Sequence, residues 1–207
     1  MKEKNSQKIQ TKLRKKFLNK GVSMIAPETI FFSSDTKIGS NVVIEPYVVM
    51  SKNVKIGNNV KILSFSHLEG VKIADNVDIG PYARIRPGAI IKSGSKIGNF
   101  VEIKKSTLGK KSKVIHLTYI GDATIGKSVN VGAGTITCNY DGVKKFKTKI
   151  KDNVFIGSNS SLIAPITLEE NSIIGAGSVI TRNVSKKSLA LTRSQQLELK
   201  NYKRKSK

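Results

Sequence analysis

Aliphatic side chains recur at every sixth residue along most of the chain. The row runs Ile38, Ile44, Met50, Ile56, Ile62, resumes at Ile73 and continues in sixes to Ile103. Two steps of five carry it through Leu108, Val114, Ile120, Ile125 and Val131, and it returns from Ile150 to Ile180. A second row lies four residues further on. Val42, Val48, Val54, Val60, Val77, Ala83, Ala89, Ser95, Val101, Thr107, Thr118 and Thr124 are all small or β-branched. Glycine often follows the aliphatic residue, as at Gly39, Gly57, Gly98 and Gly157.

A helix would repeat its apolar residues at three and four, so this pattern excludes one. It predicts short strands joined by tight corners, with the aliphatic side chain pointing inward and the small one fitted beside the corner. Stacked coils of this kind pair as parallel strands about 4.8 Å apart. The predicted fold is an all-β solenoid.

The period fails in four places. Between Ile62 and Ile73 the frame slips by one residue, through a stretch containing His67 that reads as an exposed loop or a ligand histidine. Between Val131 and Ile150 the sequence GAGTITCNYDGVKKFKTK predicts a loop insertion at 137–149, turning at Asn-Tyr-Asp-Gly. Residues 1–21 form a basic, helix-like segment, and the periodic domain spans 22–185. Residues 186–207 form a basic tail, with partial order expected near Leu189–Arg193.

Composition narrows the function classes. Aromatics make up 6% and Trp is absent, which suits thin aliphatic layers rather than a compact globule. One cysteine, Cys138, excludes an intrachain disulfide. No run of 18 apolar residues and no apolar leader segment is present, which predicts a cytoplasmic protein without a membrane span. The net charge of +23 raises the question of a polyanion partner. The basic ends lack the interleaved aromatics that would stack on bases, so nucleic acid is disfavoured.

Candidate chemistry sits where the rows carry unusual residues. Arg86 and Lys104 occupy the position after the aliphatic residue and are eighteen residues apart, one above the other if three hexads make a coil. Two stacked cations make a phosphate clamp, or simply two solvated charges. His116 falls near a corner, where a neutral imidazole can serve as a general base. Tyr119 and Asn130 share an outward phase and can hold a hydroxyl or carbonyl.

The hexad rule resembles that of the hexapeptide acyltransferases, and the resemblance implies a left-handed parallel β-helix. Such a hand departs from the usual right-handed crossover. The wording from Gly80 to Phe146, including IGPYARIRPGA, GNFVEIKKS, HLTYIGDATIG and VGAGTITCNYDG, is similar to one branch. That branch is the acetyltransferase half of bacterial N-acetylglucosamine-1-phosphate uridyltransferase/glucosamine-1-phosphate N-acetyltransferase. The likeness extends over about residues 20–195, through VFIGSNSSLIAPI and LALTR.

This resemblance implies acetylation of glucosamine 1-phosphate by acetyl-CoA, a step of UDP-N-acetylglucosamine synthesis, with no metal required. It implies His116 as the base for the sugar amine and Glu102 as a carboxylate orienting it. Arg86, Lys104, Tyr119, Asn130 and Lys145 then form the sugar-phosphate site. Ala133, Asn139, Tyr140, Ser158, Ala176 and Arg193 form the acetyl-CoA site. His116, Ala133, Ser158 and Ala176 also share one phase of the repeat, a track suited to an extended pantetheine arm. The family implies a homotrimer with sites between chains. Nothing in the sequence matches the uridyltransferase half, so UDP-sugar synthesis is not expected. A different amino-sugar acceptor and a basic nucleic-acid-binding solenoid are the alternatives. A three-histidine zinc site is disfavoured, since the chain has only two histidines.

Overall fold

A computed structural model describes residues 2–203, with side chains from residue 6 onward. After an opening helix the chain winds through about nine turns of a left-handed parallel β-helix. Each turn lays a short strand on each of three faces. The first face includes Val43–Ile44, Lys61–Ile62, Asp78–Ile79, Asn130–Val131 and Phe155–Ile156. The second includes Val49–Met50, His67–Leu68, Arg84–Ile85, Ile136–Cys138 and Ser161–Ile163. The third includes Lys55–Ile56, Val71–Ile73, Ala89–Ile91, Thr107–Leu108, Ala123–Ile125 and Thr148–Ile150. Two longer strands, Lys96–Lys104 and Lys113–Gly121, round the corner from the first face onto the second and pair along their length.

The aliphatic row fills the interior. Ile44, Ile62, Ile79, Ile85, Ile156 and Ile174 are fully shielded from solvent, and the row stays buried to Ile180. Burying so many branched side chains in register stabilises a solenoid whose turns contact only their neighbours.

Three expectations change. The interval from Ile62 to Ile73 is not a loop: Leu68 fills the missing slot and His67 lies in a strand. The slip is a five-residue step from Leu68 to Ile73, turned by Gly70 at φ +55°, where a Cβ would press on Pro87. Shortened corners also move the small buried residue one place earlier. Ser106 and Ala123 are buried, while Thr107 is half-buried and Thr124 exposed. Ser106 suits that place because its Oγ donates to Lys104 O at 2.8 Å and accepts from Ala123 N at 2.9 Å. Finally, the aliphatic row does not lapse after Val131, because Thr137 occupies its next slot, fully buried. Its Oγ1 accepts from Gly121 N at 2.7 Å and lies 3.1 Å from Gly121 O as a donor, so the hydroxyl is satisfied among hydrocarbon neighbours.

The helix spans Lys2–Leu18 and closes the first turn. Leu13 and Phe17 turn inward, with Phe17 4.8 Å from Phe32 between ring centroids. Gln10 completes the exposed strand edge by accepting from Phe32 N at 2.9 Å and donating to Phe32 O at 2.8 Å, as a neighbouring strand would. The inserted loop lies between Ile136–Cys138 and Thr148–Ile150. The final strand, Leu189–Ala190, pairs with Ile173–Ile174 inside the segment read as tail.

Candidate active site

His116 sits at the corner joining the first and second faces, exposed to solvent. The paired nine-residue strands hold that corner. Gly98 is buried there, and a methyl group on it would be driven into the Ile115 carbonyl, so only glycine lets the two turns approach. The approach sets Asn99 opposite His116 in register. Asn99 Oδ1 lies 2.6 Å from His116 Nδ1.

Glu102, expected to orient His116, does not reach it. It stands opposite Tyr119 in the ladder, and its Oε1 accepts from Arg86 Nη1 at 2.7 Å. That hydrogen bond, with the carboxylate charge, raises the Arg86 pKa above its ordinary value. The side chain bonded to His116 is therefore Asn99, which the sequence reading missed.

Arg86 and Lys104 are stacked as their spacing required, since Ile85 pairs with Ile103 and Arg86 N donates to Ile103 O at 2.8 Å. The inserted loop brings Lys145 to the same place. Lys145, by direct contact and then by charge, holds the Lys104 pKa below its ordinary value, and Arg86 adds to the effect. Gly121 lies over Lys104 in the next turn. A Cβ at Gly121 would collide with the Tyr119 ring and hydroxyl, so the phenol lies across Gly121 toward the cations. Three positive groups and a phenol thus surround an open surface, and a bound anion there would relieve their repulsion.

Above His116 the same corner carries Ala133, Ser158 and Ala176. Asn159 N donates to Ala133 O at 2.7 Å and Gly177 N to Ser158 O at 2.8 Å, which fixes this column one residue above another. Arg193 continues it, with Nη1 3.4 Å from Ala176 O. Glycines permit the close stacking: a Cβ on Gly132 would strike Ser158 N, and one on Gly157 would strike Ala176 N. Of the amides around Ala133, Gly132 N donates to Ile156 O at 2.8 Å and Gly134 N to His116 O at 3.4 Å. They are not the free pair that an oxyanion needs. The Ala133 N–H has no partner among the described residues.

The remaining expected residues divide. Asn139 is buried and donates Nδ2 to Asp122 Oδ2, anchoring the start of the loop. Tyr140 is exposed, and its hydroxyl donates to Gly142 O within the loop. Asp141 Oδ1 accepts from Lys144 N at 2.6 Å and from Val143 N at 2.8 Å, which lowers its pKa and shapes the turn. Asn130 lies on the first face between Lys113 and Phe155, round the corner from Tyr119 and the cations. His67, outside this set, contacts Ser51 Oγ at 3.0 Å through Nε2, and burial holds its pKa down. Among the described residues no three His, Cys, Asp or Glu side chains gather as metal ligands. A cavity of 650 Å³ exists at the C-terminal end, between Ile180 and Thr192, and none of the expected site residues lines it.

A second feature of the His116 corner was not anticipated. Below it, at left-handed φ of 53° to 61°, stand Tyr47, Phe65, Tyr82 and Phe100. Their rings stack at centroid distances of 4.9, 4.8 and 5.2 Å, and each is about half exposed, from 46% to 55%. Leu117, 62% exposed, extends the stripe to the histidine.

The family model described as bacterial transferase hexapeptide (six repeats) matches residues 35–70, 70–105 and 147–182. Bifunctional protein GlmU of Zymomonas mobilis is 56% identical over 187 residues, covering 90% of this chain and 42% of that protein. GlmU of Agrobacterium fabrum is 52% identical, covering 90% of this chain and 41% of that protein. The chain thus spans less than half the length of these relatives. Among solved structures, LpxA of Acinetobacter baumannii superposes with a TM-score of 0.59 at 18% identity, covering 82% of this chain and 71% of that one. The UDP-N-acetylglucosamine acyltransferase of Francisella novicida gives 0.58 at 18%, covering 78% and 62%. These two share the fold. The chain belongs to the bacterial hexapeptide transferases, and over nine-tenths of its length it is a relative of the C-terminal part of bifunctional GlmU.

Proposed function

We propose that this protein transfers acetyl from acetyl-CoA to the 2-amino group of glucosamine 1-phosphate. The observation that carries the reading is the arrangement along one face and its corner. An exposed, hydrogen-bonded imidazole at His116 stands beneath the narrow column of Ala133, Ser158 and Ala176, and the anion-ready cluster of Arg86, Lys104 and Lys145 lies at the far end of the second face that begins at that corner. Kinship with GlmU supplies the substrates.

In this reading the cations and the Tyr119 hydroxyl hold the sugar phosphate, giving proximity and orientation. The pantetheine arm runs along the small-residue column, and Arg193 at its end takes the nucleotide part. His116 removes a proton as the amine attacks the thioester carbonyl, and the Ala133 N–H receives the developing oxyanion. The C–S bond then breaks, and the imidazolium returns its proton to the leaving thiolate. Acetyl-CoA is thereby a co-substrate. The reaction belongs in the cytoplasm, where acetyl-CoA is available. Among the described residues no helix is long and apolar enough to cross a membrane.

The working unit in this reading is a homotrimer. Asn130 and the cation cluster lie on different faces of one chain, so a single acceptor meets both only if chains share a site. The stacked rings from Tyr47 to Phe100 support this. Bulky residues at left-handed corners cost about 1–2 kcal/mol each, and an exposed aromatic stripe in a chain of charge +23 is the surface a second copy would cover.

The test is free-thiol release from acetyl-CoA with glucosamine 1-phosphate as acceptor, comparing the wild type with His116→Ala. Acceptor-dependent release that collapses in the variant is expected. Release that survives would remove His116 as the base, and no turnover with this acceptor would sink the substrate assignment.

A further inference from the structure

We propose that Asn99 is the positioning residue for His116, holding the imidazole as its Nδ1–H tautomer through a neutral acceptor. The inference rests on His116 being the base of the acetyl transfer described above, and goes beyond it by naming what sets that base. Asn99 Oδ1 stands 2.6 Å from Nδ1, and an amide oxygen can only accept. The ring proton must therefore sit on Nδ1, which leaves Nε2 with its lone pair free for the amine. A free imidazole in water favours the opposite tautomer, so the contact reverses the default.

The backbone makes this contact rigid. Asn99 and His116 are register partners inside the two strands that round the corner, and buried Gly98 allows the turns to close there. The His116 carbonyl is tied from both sides, by Thr118 Oγ1 at 2.6 Å and by Gly134 N at 3.4 Å. The nearest carboxylate in the ladder, Glu102, is engaged with Arg86 at 2.7 Å. The arrangement gives an imidazole whose orientation is set by Asn99 and not by Glu102.

The experiment is nitrogen-15 NMR of the whole protein labelled at histidine, with steady-state kinetics of Asn99→Ala and Asn99→Asp. Two histidines make assignment direct, since His67→Gln removes one set of signals. The wild type at alkaline pH should show a protonated Nδ1 and an unprotonated Nε2 for His116. In Asn99→Ala that preference should be lost, with kcat down about tenfold and KM for both substrates unchanged. Asn99→Asp, which keeps an accepting oxygen in place, should hold the Nδ1–H tautomer and most of kcat. An Nε2–H signal in the wild type would overturn the proposal, as would an unaltered tautomer in Asn99→Ala. An Asp variant as impaired as the Ala variant would also overturn it. The spectrum needs no substrate, so an Nδ1–H tautomer in a protein that releases no thiol would defeat the acetyl-transfer reading and leave the tautomer assignment standing.

Discussion

Arg86 and Glu102 meet across adjacent turns, with Nη1 2.7 Å from Oε1, and both side chains remain more than a third exposed. The contact ties Glu102 to Arg86 and not to His116, so in the proposed site it steadies a cation that would hold the phosphate. An exposed pair of this kind contributes little to holding either side chain. Glu102→Gln should therefore raise KM for glucosamine 1-phosphate by no more than about fivefold and leave kcat near its wild-type value. Steady-state kinetics with both substrates varied would check this. A fall in kcat at constant KM would show instead that the carboxylate acts through His116.

Lys104 offers a second test through its titration. Its pKa lies below the ordinary 10.5 because Lys145, and then Arg86, crowd its ammonium. A group whose charged form is disfavoured loses its proton earlier as pH rises. The proposed phosphate site should consequently weaken on the alkaline side at a lower pH than a free lysine would dictate. KM for glucosamine 1-phosphate should climb there, and KM for acetyl-CoA should not. Lys145→Ala removes the main cause, so the alkaline limb should move to higher pH. The same variant loses a charged contact, which is worth about 1.5–3 kcal/mol, so its acceptor KM should rise about tenfold or more at neutral pH. Glucosamine lacking the phosphate should show neither effect. An alkaline limb unmoved in Lys145→Ala would refute the coupling.

The fold was legible because one physical rule repeats. Inward aliphatic residues such as Ile85 and Ile103 must fall at the strand period, and that constraint survives in any single sequence. What the pattern hid were the places where the corner changes length. A five-residue step leaves Leu68 and Ser106 in their slots but shifts the count, so His67 looked like a loop residue and Thr107 like a buried one. Thr137 was invisible for another reason. A hydroxyl is admitted to the aliphatic row only because Gly121 offers it both a donor and an acceptor, a match made between turns and not along the chain. Of the site residues, the stacking of Arg86 on Lys104 followed from their spacing once three hexads are taken to make a coil, as the family resemblance implies. The approach of Lys145 depends on how the loop folds back, and the pairing of His116 with Asn99 depends on a register that hexads do not fix. The aromatic stripe could have been found. Tyr47, Phe65, Tyr82 and Phe100 are spaced by 18, 17 and 18 residues, one coil each.

That stripe supports the last prediction. A ring at a left-handed corner is strained where asparagine is at ease, as Asn41, Asn59 and Asn76 at the neighbouring corner show. If the rings served only the isolated chain, replacing one with asparagine would cost the contact with its two neighbours and regain the strain, with little net effect. If they form the seam between chains, the same change opens the assembly. Tyr82 stands in the middle of the stripe, stacked on Phe65 at 4.8 Å and Phe100 at 5.2 Å. Tyr82→Asn, alone and with Phe65→Asn, should shift the protein from trimer to monomer in light scattering at concentrations where the wild type stays assembled. Far-ultraviolet circular dichroism should stay that of a β-solenoid, and thiol release should fall with the loss of trimer. A double variant that remains trimeric and active would show that the seam lies elsewhere. A wild type that is monomeric yet active would mean that one chain completes the site by itself.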